Sequence, residues 1–108
     1  MKLITTEIEK KLRKNPLHST DGKPDAEREV LVKFFIPWSA GTWFVLEAQE
    51  ENDDWLFFGL VHVHETEFGY FRLSELKSVK GPYGLKVERD LHWIGTLADA
   101  REFLDPPA

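Results

Sequence analysis

The residues best suited to metal chemistry are two histidines, His62 and His64, on a segment whose pattern predicts a β-strand. Side chains two positions apart on a strand point to the same face, so both imidazoles could ligate one metal ion. A third ligand would have to come from His92, Glu65 or Glu67, and this spacing matches no established zinc signature. We therefore predict ordinary strand histidines, with no metal and no cofactor bound to the chain.

A second chemical group is Glu88-Arg89-Asp90, which follows a Gly-Pro-Tyr-Gly turn at positions 81–84. Glu88 and Asp90 would share one face of a strand, and paired carboxylates can perform general acid–base chemistry. An arginine between two acids more commonly forms a local ion-pair network, and no nucleophile or oxyanion donor accompanies these residues. An enzyme centred on this segment is kept as an alternative, and no catalytic residue is assigned.

Carboxylates are concentrated in the middle of the chain, whose net charge is −5. The range 47–67 contains seven Asp and Glu residues and no Lys or Arg. Such a segment repels a phosphate backbone and can also imitate one. We predict that it binds a protein partner, as a DNA-mimicking decoy or as part of an exposed sheet edge. The predicted partner-binding residues are Glu50, Glu51, Asp53, Asp54, Glu65 and Glu67, with Trp38 in a nearby turn.

Basic residues are concentrated at the N-terminus, where range 1–14 carries five of them against two acidic residues. Thr6 and Glu9 have the spacing of a capping box, which predicts a helix over 6–14. This helix supports an alternative function, nucleic-acid binding through Lys10, Lys11, Arg13 and Lys14. The net acidic charge favours a protein partner over nucleic acid.

The elements that position these groups follow from the hydrophobic pattern. Alternation of apolar and polar residues predicts strands over 29–36, 42–49, 55–64, 68–73 and 85–93. In the second strand it places Phe44, Leu46 and Ala48 on one face. A surface loop is predicted over 15–28, a capped turn at 74–77 and a last helix over 96–104. Short consecutive strands predict an α+β fold with an antiparallel meander of four or five strands.

Composition restricts the class of protein further. A chain of 108 residues, 42% hydrophobic and 31% charged, predicts one globular domain over 1–108. Its eight Phe and four Trp residues predict an aromatic core, from which Trp38 is expected to be exposed. Because there is no cysteine, no signal-peptide pattern and no long apolar run, we expect a cytoplasmic protein without a membrane partner.

Several strings of this sequence resemble domain-of-unknown-function family 2958, over about Leu3 to Leu91. The matching segments are 32–37 (VKFFIP), 42–43 (TW), 56–59 (LFFG), 67–71 (EFGYF), 73–76 (LSEL) and 81–91 (GPYGLKVERDL). The family consists of small bacterial proteins carried on plasmids, phages and other mobile elements, and it also occurs as a module of larger polyvalent proteins. The resemblance brings no catalytic residue. It implies a protein-interaction or regulatory accessory module of a mobile genetic element.

Overall fold

The chain folds into five β-strands and three short α-helices, and the computed structural model describes residues 1–107. The strands are β1 (Val32–Phe35), β2 (Thr42–Glu51), β3 (Asp54–His62), β4 (Thr66–Arg72) and β5 (Glu88–Arg89). The helices are α1 (Thr6–Arg13), α2 (Leu73–Ser78) and α3 (Leu97–Leu104), and short 3₁₀ turns lie at Asp25–Glu27 and Pro82–Gly84. Within residues 1–107, no helix is long and apolar enough to cross a membrane.

The five strands form one open sheet in the order β4-β3-β2-β1-β5, and every neighbouring pair is antiparallel. Asn52 and Asp53 connect β2 to β3 and both have positive φ, as a tight hairpin turn requires. The structure confirms the α+β fold and the antiparallel sheet. It shortens the predicted fifth strand to two residues, because the Gly81 N–H donates to the Leu85 carbonyl and the Leu85 N–H donates to the Pro82 carbonyl, so Leu85 belongs to the 3₁₀ turn and does not pair with β1.

An irregularity in β2 decides which residues face each side of the sheet. Between Val45 and Glu47 the register with β3 shifts by one residue, so Leu46 is an extra residue that inverts the alternation after it. Ala48 therefore packs in the cluster of Val45, and not with Phe44 and Leu46 as predicted. The same inversion places Glu47 opposite Phe58.

Both faces of the sheet carry a buried apolar cluster. The first cluster lies beneath α1, α2 and the N-terminal segment, and its largest members are Leu12, Phe34, Trp43, Trp55, Phe57 and Phe71. The second cluster lies beneath α3 and contains Val30, Phe44, Leu46, Leu60, Leu97 and Ala100. The sheet thus has two sides with separate surroundings, called here the first face and the second face.

The helix starts differ in detail from the prediction. The Thr5 hydroxyl accepts a hydrogen bond from the Ile8 N–H at 3.3 Å, so α1 is capped one residue before the predicted capping box at Thr6. In α3, Thr96 and Asp99 do form the reciprocal hydrogen bonds of a capping box. Each cap satisfies backbone N–H groups that the first helical turn leaves free.

Candidate functional site

Glu47, the first carboxylate of the acidic segment, is buried in the interior. Its carboxylate accepts hydrogen bonds from the Thr20 hydroxyl and from the N–H groups of Thr20 and His18, and Arg28 lies 3.4 Å away. Burial raises the pKa of Glu47, but the hydrogen bonds from Thr20 and His18, together with Arg28, outweigh it and hold the pKa below its usual value. Glu47 therefore anchors the 15–28 loop to the sheet.

Three of the predicted partner-binding carboxylates are also held by contacts within the chain. Glu50 lies 3.4 Å from Arg13, and Glu51 lies 2.6 Å from Arg72. Asp54 accepts a hydrogen bond from the Ser74 hydroxyl at 2.6 Å, which together with the Trp55 and Ser74 N–H groups lowers the pKa of Asp54. These side chains position α1 and α2 against the hairpin.

The other predicted partner-binding residues divide into two groups. Asp53, Glu65 and Glu67 are exposed, and no cation within residues 1–107 lies at ion-pair distance from any of them. Trp38 is half-buried, which corrects the prediction that it is exposed, because its ring packs on the backbone of Gly81. A Cβ at Gly81 would lie 2.5 Å from that ring. The free negative charge is therefore in the hairpin turn and at the start of β4.

The basic helix is largely neutralised as well. Lys10 lies 3.8 Å from Glu7, Lys11 lies 3.4 Å from Glu29, and Arg13 contacts both Glu9 and Glu50. Lys14, also exposed, has no ion-pair partner in the part of the chain that the structure describes. Three of the four candidate phosphate contacts would thus exchange an existing carboxylate for a phosphate.

In the segment Glu88-Arg89-Asp90, Arg89 and Asp90 contact different parts of the chain. The Arg89 guanidinium donates to the Lys2 carbonyl at 2.6 Å and to the Leu3 carbonyl at 3.2 Å. Asp90 lies 3.1 Å from the buried Lys33. Burial raises the pKa of Asp90, but the hydrogen bond from the His92 N–H and the nearby Lys33 outweigh it. The pKa of Asp90 is therefore below its usual value. The segment attaches the N-terminus and fixes β5 to β1.

His62 and His64, the two candidate metal ligands, lie in different local surroundings. His62 is the last residue of β3, and its Nδ1 lies 2.8 Å from the Thr66 hydroxyl. His64 lies in the exposed turn after the strand, so the prediction that both histidines share one strand face is wrong. Among residues 1–107, no group of three or more His, Cys, Asp or Glu side chains is placed to hold a metal ion.

An aromatic surface that the sequence interpretation did not single out lies on β4. Phe68 and Tyr70 are 41% and 56% exposed, and β4 is an edge strand whose one partner in the sheet is β3. The Phe58 ring on β3 lies 5.7 Å from the Phe68 ring and 5.1 Å from the Tyr70 ring. We call these three residues the aromatic edge patch. The sequence signal was the aromatic pair at positions 68 and 70, on one face of a predicted strand.

Two fixed cations border the aromatic edge patch. The guanidinium carbons of Arg28 and Arg101 lie 5.9 Å and 5.3 Å from the centre of the Phe68 ring. Arg28 is held by Glu47, and Arg101 by Asp25 at 2.6 Å. Cation–π contacts of this kind favour one orientation of an exposed ring, so the Phe68 ring of the patch is preorganised.

The fold and these surfaces define a small α+β domain with a five-stranded open sheet, an exposed aromatic edge and neutralised charge clusters. The chain belongs to the family described as protein of unknown function (DUF2958), whose model matches residues 3–100. Neither the comparison with curated proteins nor that with solved structures yields a match.

Proposed function

We propose that this chain is a non-enzymatic protein-interaction module that binds an extended segment of a partner along β4. The observation that carries the proposal is the aromatic edge patch on β4, an edge strand that pairs with β3 on one side and with no strand on the other. Exposed edge strands offer a row of free backbone donors and acceptors, and proteins usually protect such edges with short length, charge, proline or a covering element. β4 is seven residues long, lacks proline and exposes two aromatic rings.

The geometry of β4 indicates the chemistry of the partner segment. A strand added to a sheet gains affinity from main-chain hydrogen bonds and specificity from alternate side chains. Phe68 and Tyr70 lie on the second face, whereas Glu67 pairs with Val61 and lies on the first face. We therefore expect a partner strand with apolar or aromatic side chains on one face and a Lys or Arg on the other, opposite Glu67.

The resemblance to proteins of mobile elements supports a role as a cytoplasmic accessory or regulatory module of such an element. A DNA-mimicking decoy is a narrower version of this function. It rests on Asp53, Glu65 and Glu67, since the other acidic residues named for partner binding are held by contacts within the chain. An extended partner segment with basic residues is compatible with both versions.

A displayed library of random short peptides tests the proposal. We expect selected peptides to alternate apolar and basic residues and to bind the chain as an added strand. Tyr70→Ala should weaken binding by roughly five- to thirtyfold, because removing an exposed aromatic anchor costs about 1–2 kcal/mol. Leu91→Ala is the control, since Leu91 is also an exposed apolar residue but follows β5, at the opposite edge of the sheet from β4.

Hydrogen exchange on the complex locates the bound peptide. Binding along β4 should protect the outward-facing amides of residues 66–72, which have no second strand in the free protein. Peptides that protect other amides, or that bind the Tyr70→Ala variant as tightly as the wild type, would refute the edge-strand proposal.

A further inference from the structure

A cleft of about 950 Å³ lies on the first face, on the opposite side of the sheet from the aromatic edge patch. It is bordered by the N-terminal segment, α2 and the loop that leads into β5. Its volume is at the upper end of the range for ligand sites, roughly 300–1,000 Å³. It therefore has room for several residues of a partner chain.

The cleft has an apolar floor and an apolar mouth. Its buried floor is formed by Leu3, Ile4, Trp55, Leu73, Leu76 and Val87. Met1 and Leu85 line it and are 68% and 38% exposed. Tyr83 stands beside Gly84 of the lining, is fully exposed, and has φ of 57°, a conformation that side-chain-bearing residues rarely adopt. Exposed apolar residues around a mouth are typical of surfaces that contact a protein.

Charges of opposite sign lie at the two ends of the cleft. Glu50 and Asp53 belong to the β2–β3 hairpin end, where Arg13 pairs with both Glu50 and Glu9, which also lines the cleft. Lys77 of α2 adds one positive charge to the lining, which leaves one negative charge in excess at this end. Lys86 and Lys2 lie near β5, because Lys86 is two residues before it and the Lys2 carbonyl is bonded to Arg89. Glu88 lines the same end and offsets one lysine. The hairpin end is thus net negative and the β5 end net positive.

The length of β2 separates these two ends. β5 pairs with β1 at the level of Thr42, the first residue of β2, whereas Glu50 and Asp53 lie at its far end. At about 3.3 Å per residue, the distance between the two levels approaches 25–30 Å. A ligand that contacts both ends must be extended.

The geometry points to this cleft as a binding site for a short extended peptide segment of a protein partner. The apolar side chains of the segment would occupy the floor at Trp55 and Leu76. A basic residue would face Asp53 at the hairpin end, and an acidic residue would face Lys86 at the β5 end. This inference goes beyond the proposed function, since it adds a second site on the opposite face and lets the module hold two segments at once.

Charge variants of exposed residues test the cleft without altering the core. Peptides selected from the displayed library in the presence of a saturating β4-binding peptide should carry apolar residues between a basic and an acidic residue. Lys86→Glu should weaken their binding by about two- to tenfold, because one exposed attraction becomes a repulsion. Lys23→Glu is the control, since Lys23 is exposed and lies outside the cleft. Equal unfolding midpoints will show that the variants fold.

The combined variant Asp53→Lys with Lys86→Glu reverses the polarity of the cleft. Peptides selected for binding to this variant should place an acidic residue at the hairpin end and a basic residue at the β5 end, the reverse of the wild-type cleft peptides. Peptides that bind β4 should keep their affinity. An unchanged charge order, or cleft peptides that bind Lys86→Glu as tightly as the wild type, would overturn the inference. Because Tyr70→Ala and Lys86→Glu affect different peptides, failure of one site leaves the other testable.

Discussion

The Arg28 guanidinium lies 3.4 Å from the Glu47 carboxylate, and the two side chains are only 11% and 2% exposed. Glu47 follows the bulge in β2, and Arg28 lies just before β1, so the pair connects the long 15–28 loop to the centre of the sheet. A buried ion pair of this kind is costly to break from one side, because the remaining charge stays buried without compensation.

Glu47→Gln should therefore destabilise the fold by roughly 3 kcal/mol at neutral pH, the lower end of the cost of breaking a buried pair. The folded-state pKa of Glu47 is lowered, so its contribution is present above the unfolded-state pKa of about 4.3 and is lost as the pH falls through the folded-state pKa. In the variant, the unfolding free energy should change less steeply with pH in the acid range, by up to about 1.4 kcal/mol per pH unit. Denaturant unfolding across the acid range measures both effects.

Glu29→Gln provides the matched control, since Glu29 pairs with Lys11 while both side chains are more than half exposed. Its effect should stay below about 1 kcal/mol, as for other surface pairs. If the two variants lose equal stability, Glu47 does not anchor the loop.

The glycines Gly59 and Gly69 lie opposite each other on β3 and β4, but their surroundings differ. A Cβ at Gly59 would lie 1.8 Å from the Phe44 carbonyl oxygen, whereas a Cβ at Gly69 meets nothing within 4 Å. Gly59→Ala should cost about 3 kcal/mol or more, because a backbone atom must move. Gly69→Ala should be neutral or stabilising by up to about 1 kcal/mol. Thermal unfolding compares them, and equal costs would contradict this packing.

The sequence predicted the sheet because alternation is a local signal, and residues 42–49 and 55–62 both carry it clearly. It did not reveal the bulge at Leu46, since one extra residue leaves no mark in an apolar run. Ala48 was therefore assigned to the wrong face. Nor could it show that the Gly81 N–H donates to the Leu85 carbonyl, which holds Leu85 in a turn and leaves β5 only two residues.

The charge clusters were harder to interpret from the sequence than the strands. Arg28 is 19 residues from Glu47, Arg72 is 21 from Glu51, and Arg13 is 37 from Glu50. Such partners are brought together only by the fold, so a linear count overstates the free charge of both the acidic segment and the basic helix. The exposure of Phe68 and Tyr70 depends in the same way on the position of β4 at the sheet edge.

Arg89 should act as an anchor for the N-terminal segment and not as a catalytic residue. Arg89→Ala removes the hydrogen bonds to the Lys2 and Leu3 carbonyls, which hold the segment that leads to the α1 cap at Thr5. Exchange of the Ile8 amide, which bonds the Thr5 hydroxyl, should therefore quicken by tenfold or more, equivalent to about 1.4 kcal/mol. Glu88→Gln, which keeps these bonds, should leave that exchange unchanged. Equal protection in Arg89→Ala and wild type would contradict the anchoring role.

We expect the purified protein to carry no stoichiometric metal, since His62 bonds Thr66 and no complete ligand set can be written for the described residues. Elemental analysis measures this directly. One zinc per chain that disappears in His62→Ala with His64→Ala would show that these two histidines form a metal site.

Duplex DNA should bind negligibly at physiological salt, and the reason lies in the ion pairs of α1. Each phosphate contact contributes about 0.9 to the slope of log affinity against log salt. Lys10, Lys11 and Arg13 already have carboxylate partners, so forming those contacts would first break existing pairs. A salt titration should therefore show weak binding at low salt. The slope of log affinity against log salt should be much smaller in magnitude than four phosphate contacts would give.

The variants that test this charge assignment must avoid carboxylates that stabilise the fold. Reversal of Glu51 or Asp54 would disturb Arg72 and the start of α2, so Asp53→Lys and Glu65→Lys are the better acidic changes. Changing Lys10, Lys11, Arg13 and Lys14 to Ala should leave partner binding at β4 intact. Micromolar DNA binding that this basic-helix variant abolishes, and that the acidic changes leave untouched, would establish nucleic-acid binding in place of the proposed interaction function.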